Sequence, residues 1–247
     1  MKKDEYGAVV KHKARLVARG FVRREGIDFE EVFTPMAHME SVQLVLAMAA
    51  AKDWAVHHLD VKSAFLNGDL SEVFVRQAPG FVVKEAEHKV LRLRKALYGL
   101  RQAPRAWNSK LDTTMAELKF ARCATEHALY TRRRGKEELV VRVCVDDLIV
   151  TGAWEKDIAS FKVEMAARFQ MTNLGTLSYY LSIEVRQGSR AVTLGQRAYA
   201  RKLLERAGMA NCKPAATPME EWIKLSKQSA TEKVDATHYR SIVGGLR

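Results

Sequence analysis

Between Leu139 and Val150 the chain follows the period of an extended strand, breaks once, and resumes. Leu139, Val141, Val143 and Val145 fall on one face of such a strand, and Val140, Arg142 and Cys144 on the other. The run is interrupted by Asp146-Asp147 and continues as Leu148-Ile149-Val150. A period of two that stops for two residues and restarts predicts a β-hairpin with two carboxylates at its tip. That tip is costly. Adjacent carboxylates repel, Asp is a poor strand residue, and Asp-Asp is a weaker turn dipeptide than Asn-Gly or Asp-Gly. A divalent cation relieves the repulsion, and Mg²⁺ suits the donors because it takes oxygen ligands and bridges carboxylates to substrate phosphates. The dipeptide alone leaves a solvated charged turn as the alternative.

A further carboxylate lies in an apolar strand. Val56–Val61 reads as a strand with Leu59 and Val61 on one face and His58 and Asp60 on the other. If that strand neighbours the hairpin, Asp60, Asp146 and Asp147 form one cluster. Two metal ions ~3.5–4 Å apart would there clamp the attacking and leaving oxygens of a phosphoryl transfer. Sequence spacing does not by itself make them neighbours.

Elsewhere strands and helices are mixed. Residues 11–24 read as a basic strand or hairpin. Ser41 is placed to cap a buried helix over 42–52. Asn67-Gly68 marks a turn, and 73–76 and 90–93 read as short strands. Pro104 opens a helix on which Trp107, Leu111, Met115 and Leu118 recur at core spacing. An amphipathic helix is expected over 154–169, a strand over 179–186, and a helix over 196–207 stopped by Gly208. The absence of regular βαβ alternation predicts an α+β fold rather than a doubly wound parallel sheet.

Composition narrows the partners. Nearly half the residues (47%) are apolar, enough for a sizeable core. Lys and Arg outnumber Asp and Glu by 41 to 29, a net charge of +12. The resulting pI of about 9.7 points to a polyanionic partner, nucleic acid or an anionic membrane surface. The apolar stretch 42–51 is too short to span a bilayer, and Lys2, Lys3, Asp4 and Glu5 give no leader-like run. No membrane partner is therefore expected. Cys123, Cys144 and Cys212 lie far apart with no CxxC pair, which reads as three reduced thiols in an intracellular protein. His57 and His58 are adjacent, so on a strand they point to opposite faces and do not chelate one ion together.

Several motifs occur in a fixed order: Lys13-Ala-Arg-Leu-Val-Ala-Arg-Gly20, Leu59-Asp-Val-Lys-Ser-Ala-Phe-Leu-Asn-Gly68, Leu97-Tyr-Gly-Leu-Arg-Gln-Ala-Pro104 with Trp107, and Val145-Asp-Asp147. Leu174-Gly175, Ile183-Glu184, Lys213-Pro214, Thr217-Pro218 and Tyr239-Arg-Ser-Ile-Val-Gly244 follow. In this ordered set, which runs over almost the whole chain, the protein resembles the reverse transcriptase domain of Copia-type LTR retrotransposon polyproteins, especially those of plants. The resemblance implies a right-hand polymerase fold with an antiparallel palm sheet. Fingers would lie mainly in 1–52 and 69–102, palm mainly in 53–68 and 103–190, and the start of a truncated thumb or connection in 191–247. It implies template-directed addition of deoxynucleotides to a primer 3′-hydroxyl, serving retrotransposon DNA synthesis. The partners would be an RNA or DNA template with primer and dNTPs, the cofactor two Mg²⁺ ions with Mn²⁺ as alternative, and the location a cytoplasmic particle or the nucleus.

Carried over by motif, Asp60 and Asp146 are the main metal ligands and Asp147 completes the triad. Phe65 resembles the steric gate that excludes a ribose 2′-hydroxyl. The backbone amides of Lys62, Ser63 and Ala64 would cradle the triphosphate, with Lys13 and Arg15 as cationic contacts and Arg19 competing for that part. Tyr98 and Gly99 begin the nucleotide-and-template contact loop, where glycine permits close backbone approach. Leu181, Ser182 and Glu184 fall on the primer-gripping strand. Three positions depart from the family: Cys144 replaces an aromatic, Ser182 a glycine and Asn173 an aspartate. The first weakens packing near the primer end and the second crowds it.

The resemblance starts within the fingers and stops in a helix leading to the thumb. No RNase H, integrase, protease or gag segment is recognised, so a polyprotein fragment or decayed copy is expected. The alternative function is a catalytically inactive, basic nucleic-acid-binding remnant, and both readings require salt-sensitive binding. An unrelated two-metal nuclease would leave the ordered motifs unexplained. Phe65→Ala is expected to admit ribonucleotides in single-nucleotide incorporation, and unchanged sugar discrimination would remove Phe65 from the gate role.

Overall fold

A computed structural model describes residues 2–3, 9–11, 14–20, 26, 38–135, 137–217, 219, 222 and 234–246. The first elements are β1 (Lys2–Lys3), β2 (Val9–Lys11), α1 (Met39–Ala51) and β3 (Val56–Val61). A 3-10 turn, Ala64–Asn67, leads to β4 (Asp69–Arg76), β5 (Val90–Lys95) and α2 (Ala103–Glu117). Next come β6 (Ala121–Arg122), β7 (Leu129–Arg134), β8 (Glu137–Cys144), β9 (Asp147–Gly152) and α3 (Glu155–Ala166). β10 (Met171–Thr176), β11 (Tyr179–Tyr180), β12 (Ile183–Gly188), β13 (Ala191–Gly195), α4 (Arg197–Arg206) and α5 (Ala236–Leu246) complete the described chain. The fold is α+β with antiparallel sheets, as the irregular alternation predicts. No helix among the described residues is long and apolar enough to cross a membrane.

The central sheet has six strands in the order β10-β3-β9-β8-β7-β6, and every pairing is antiparallel. Leu59, Val61, Leu139, Val141, Val143, Leu148 and Val150 supply one face of its main core. Trp107, Leu111 and Met115 of α2 and Ile158, Phe161 and Met165 of α3 complete that core. The α2 stripe is therefore the one read from its spacing. Pro104 sits in the first turn of α2, where its missing N–H costs no helical bond.

The second face of the sheet is also buried, which the alternating pattern did not require. Val140, Ile149, Thr151 and Arg142 have almost no exposure. The Arg142 guanidinium donates to the His38 carbonyl at 2.8 Å and to Ser41 Oγ at 3.0 and 3.2 Å. This corrects the capping assignment. His38, not Ser41, is the N-cap residue of α1. The Ser41 hydroxyl lies inside the first turn and donates to His38 O at 2.8 Å. A buried cation needs acceptors more than the helix end needs a cap.

The strand expected over 179–186 is likewise corrected. Tyr179 pairs with Glu184 and Tyr180 with Ile183, so Leu181-Ser182 is a two-residue hairpin turn. Both turn residues have left-handed φ, 47° and 70°, the conformation that tight hairpins demand. The central hairpin also turns through two residues, Val145-Asp146, one position before the expected Asp146-Asp147 tip, and Asp147 opens β9. Of the basic segment 11–24, residues 14–20 are described as irregular chain with one bridge at Val17, and most of the rest lies outside the described residues.

The chain forms two compact units, residues 1–177 with 187–192, and residues 178–186 with 193–247. In the second, Tyr199 Oη donates to the Gly245 carbonyl at 2.8 Å and ties α4 to α5. Arg142→Leu is expected to cost roughly 2–4 kcal/mol, because it removes the buried guanidinium that donates to the part-buried His38 and Ser41 oxygens. The urea midpoint of the variant measures this, and a midpoint unchanged from the parent would contradict the bracing role.

Candidate active site

Strand register decides the geometry of the carboxylates. On β3 and β9 the Cα partners run from Val56↔Thr151 to Asp60↔Asp147. Asp60 thus lies directly opposite Asp147, and on its other side it faces Thr172 of β10. Directly opposed residues point to the same face, with Cβ atoms about 4.5–5.5 Å apart. Asp146 occupies the turn beside them, and its carbonyl accepts the Val61 N–H at 2.8 Å. The three aspartates predicted as a cluster therefore occupy adjacent positions at one end of the sheet. Asp60 and Asp147 present hard oxygen donors of the kind Mg²⁺ takes. Among the described residues no three His, Cys, Asp or Glu side chains converge closely enough to hold one ion.

His58 enters this site, a role its sequence position alone does not assign. It lies two residues before Asp60 on the same face, diagonal to Asp147. Its Nε2 is 2.7 Å from Asp147 Oδ1, with both side chains mostly buried. The signal was present in the i, i+2 spacing, but only the register shows which carboxylate the ring meets. His57 points the other way, as expected, to Glu155 Oε2 at 3.1 Å and Lys162 Nζ at 2.9 Å.

The turn that carries Asp146 is strained. Val145 has a φ of 56°, a conformation in which a β-branched residue is a clear outlier. Such strain costs about 1–3 kcal/mol and persists only where neighbours over-determine it. One neighbour is Trp107, almost fully buried, whose indole Nε1–H donates to the Val145 carbonyl at 2.6 Å. Its ring also packs edge-on against Phe169, with centroids 5.1 Å apart. Val145 itself is half exposed rather than part of the inward face.

A second group of predicted residues meets around Tyr98. Its ring lies 5.0 Å from that of Phe65, and the Arg15 guanidinium sits 5.3 Å from its centroid. Val17 bridges to Tyr98, and the Ala18 N–H donates to the Tyr98 carbonyl at 2.8 Å. The close approach expected at Gly99 is made here to the chain itself. Gly99 has a φ of 88°, and a Cβ there would collide with the Ala18 carbonyl. A Cβ on Gly20 would collide with the Gly99 carbonyl. The two glycines thus let residues 17–20 cross residues 98–100 in backbone contact.

The remaining predictions are placed less favourably. Lys13 lies outside the described residues. Arg19 is exposed. The Lys62 amide donates to the Gln170 carbonyl at 2.8 Å, so of the three proposed cradle amides it is already engaged. Ser63 is left-handed, with φ 52° and ψ 46°, and Ala64 opens the 3-10 turn. Leu181, Ser182 and Glu184 belong to the second unit. The glycine usual at position 182 is explained by the left-handed φ there. Glu184 accepts the Ala198 N–H at 2.6 Å at the start of α4.

Fold and site define a basic α+β domain whose central antiparallel sheet sets opposed carboxylates beside a third at a strained turn. The chain belongs to the reverse transcriptase (RNA-dependent DNA polymerase) family, whose profile matches residues 1–221. It is 39% identical over 242 residues to a retrovirus-related Pol polyprotein from transposon RE2 of Arabidopsis thaliana, a match covering 98% of this chain and 17% of that protein. It is 37% identical over 256 residues to the Pol polyprotein from transposon TNT 1-94 of Nicotiana tabacum, covering 100% of this chain and 19% of that one. The chain thus spans less than a fifth of the length of these curated relatives. The Copia-type resemblance read from the motifs is borne out, and by family the chain is an RNA-directed DNA polymerase domain.

Trp107→Phe keeps the ring against Phe169 and removes the only N–H of the side chain. A stability loss of about 1–2 kcal/mol is expected, together with faster hydrogen exchange at the amides of residues 144–148. Unchanged exchange there would mean that the turn is held by other contacts.

Proposed function

We propose that the chain is the fingers and palm of a right-hand polymerase, with fingers mainly in 1–52 and 69–102, palm mainly in 53–68 and 103–190, and the beginning of a thumb or connection in 191–247. Its activity is template-directed, divalent-metal-dependent addition of deoxynucleotides to a primer 3′-hydroxyl. The observation that carries this reading is the register that sets Asp60 opposite Asp147 with Asp146 in the adjoining turn, in a chain of the reverse transcriptase family.

Asp60 and Asp146 are the principal ligands and Asp147 completes the set. Bound there, two Mg²⁺ ions would lower the pKa of the primer hydroxyl and offset charge on the departing pyrophosphate. The protein's own part is positioning, as in other phosphoryl transfers. Phe65, its ring tilted against that of Tyr98, forms the floor under the nucleotide sugar. Arg15, over the same ring, and Lys13 supply cationic contacts to the triphosphate. The amides of Ser63 and Ala64 approach its oxygens, a part that falls to them because Lys62 N–H is taken by Gln170. Leu181, Ser182 and Glu184 contribute the primer grip. The template is RNA or DNA, held through backbone contacts by a chain of net charge +12. The setting is retrotransposon DNA synthesis inside the cell, in a cytoplasmic particle or the nucleus.

A second reading, a catalytically inactive nucleic-acid-binding remnant, draws on one observation. His58 engages an Asp147 oxygen at 2.7 Å, which competes with a metal for that donor. Extension of a DNA primer on an RNA template separates the two. The active enzyme is expected to extend it with Mg²⁺, to stop on chelation, and to slow by about a hundredfold or more in Asp146→Asn, the loss of roughly 3 kcal/mol of charge stabilisation. Equal rates in parent and variant would sink the assignment, and binding without extension in both would favour the remnant.

A further inference from the structure

Away from the aspartates, the ribbon of β4 and β5 carries a surface that catalysis does not use. The register Val73↔Leu93, Phe74↔Arg92, Val75↔Leu91 and Arg76↔Val90 sorts its side chains onto two faces. Val73 is buried with Ala96, Leu100 and Ala103, and Leu93 and Phe65 pack on the same cluster. That face anchors the ribbon to the rest of its unit. The opposite face bears Phe74, Arg76, Val90 and Arg92, with Arg94 one step further along β5. Phe74 is 51% exposed, and Arg76, Val90, Arg92 and Arg94 are exposed beside it. Both acidic residues of β4 lie outside this regular stretch. Asp69 is held by Lys95 at 2.6 Å. Glu72 has a left-handed φ of 57° where the register shifts.

An aromatic ring among three guanidiniums on neighbouring strands is more than a solvated charged face. Half-exposing a phenylalanine forgoes burial energy that a polar residue in its place would not need. Three arginines on one face repel one another and call for a polyanion. Rings accept unstacked bases, while guanidiniums meet phosphates and also stack on bases. A fully paired duplex offers the ring nothing, because its bases are already stacked and covered. We propose that this face of the β4–β5 ribbon is a platform for single-stranded nucleic acid, the unpaired stretch of the template strand. The inference rests on the polymerase reading for the identity of that strand.

The test compares a blunt RNA–DNA hybrid with the same hybrid carrying a single-stranded 5′ template overhang, by fluorescence anisotropy across a salt series. The parent chain is expected to bind the overhang form more tightly. Phe74→Leu keeps an apolar, strand-compatible side chain and should weaken overhang binding about tenfold while sparing the blunt form. Replacing Arg76, Arg92 and Arg94 by Gln should remove the preference and flatten the salt slope by about 0.7 for each phosphate no longer neutralised. Equal losses on both hybrids would overturn the platform and leave the polymerase reading intact. Binding unaffected by either variant would do the same. Failure of the parent to bind either hybrid would overturn both. In the unaltered protein, 4-thiouridine in the overhang should crosslink to residues 69–95, and crosslinks confined to other peptides would refute the proposal without any variant.

Discussion

The candidate site depends on one pairing, that of β3 with β9. A slip of one residue in a β-ladder turns every side chain to the opposite face. Here the register is pinned from the core side. Leu59 and Val61 on β3 and Leu148 and Val150 on β9 are buried together, so a slip would put apolar side chains where Asp60, Asp147 and their neighbours lie. Hydrophobic packing on one face thereby sets a carboxylate against a carboxylate on the other. The bond from the Val61 amide to the Asp146 carbonyl extends that control into the turn.

Placing acids there carries a cost that the surroundings offset. Opposed like charges raise the energy of this end of the sheet, and the Val145 conformation adds backbone strain. The Trp107 indole bond, the His58 contact and the buried interior of β3, β8 and β9 all hold the turn in place. A stiff interior transmits such constraint well, because close-packed side chains have few alternative arrangements.

The chemistry around Tyr98 is assembled differently. Arg15 is remote in sequence from Phe65 and Tyr98, and it reaches them only because Gly20 and Gly99 let two backbones cross. Of the segment's side chains, Leu16 and Val17 are largely exposed, while Ala18 packs on the buried cluster of Ala96 and Leu100. The crossing is set by backbone contact, by two absent Cβ atoms and by the packing of Ala18. It joins the N-terminal segment to the stretch that leads into α2, the helix that also braces the aspartates.

Much of the fold was legible without coordinates. The period-two run over β8 and β9, the strand Val56–Val61 and the Trp107–Leu118 stripe all express local periodicity, and local periodicity survives folding because burial selects for it. The ordered motifs likewise identified the family. Other features had no local signature. Neither Val-Asp nor Leu-Ser looks like a hairpin turn, because tertiary packing imposed left-handed φ on Val145, Leu181 and Ser182, which do not prefer it. Ser41 had the form of a cap and became a partner of Arg142, which nothing in the sequence marked as wholly buried. The amino-acid sequence by itself determined which residues are acidic, which segments extend and which family they belong to. Only the tertiary structure decided that Asp60 faces Asp147, that His58 meets the latter and that Trp107 holds the turn. Register and side-chain meeting points arise from packing between segments remote in sequence, and no single segment contains that information.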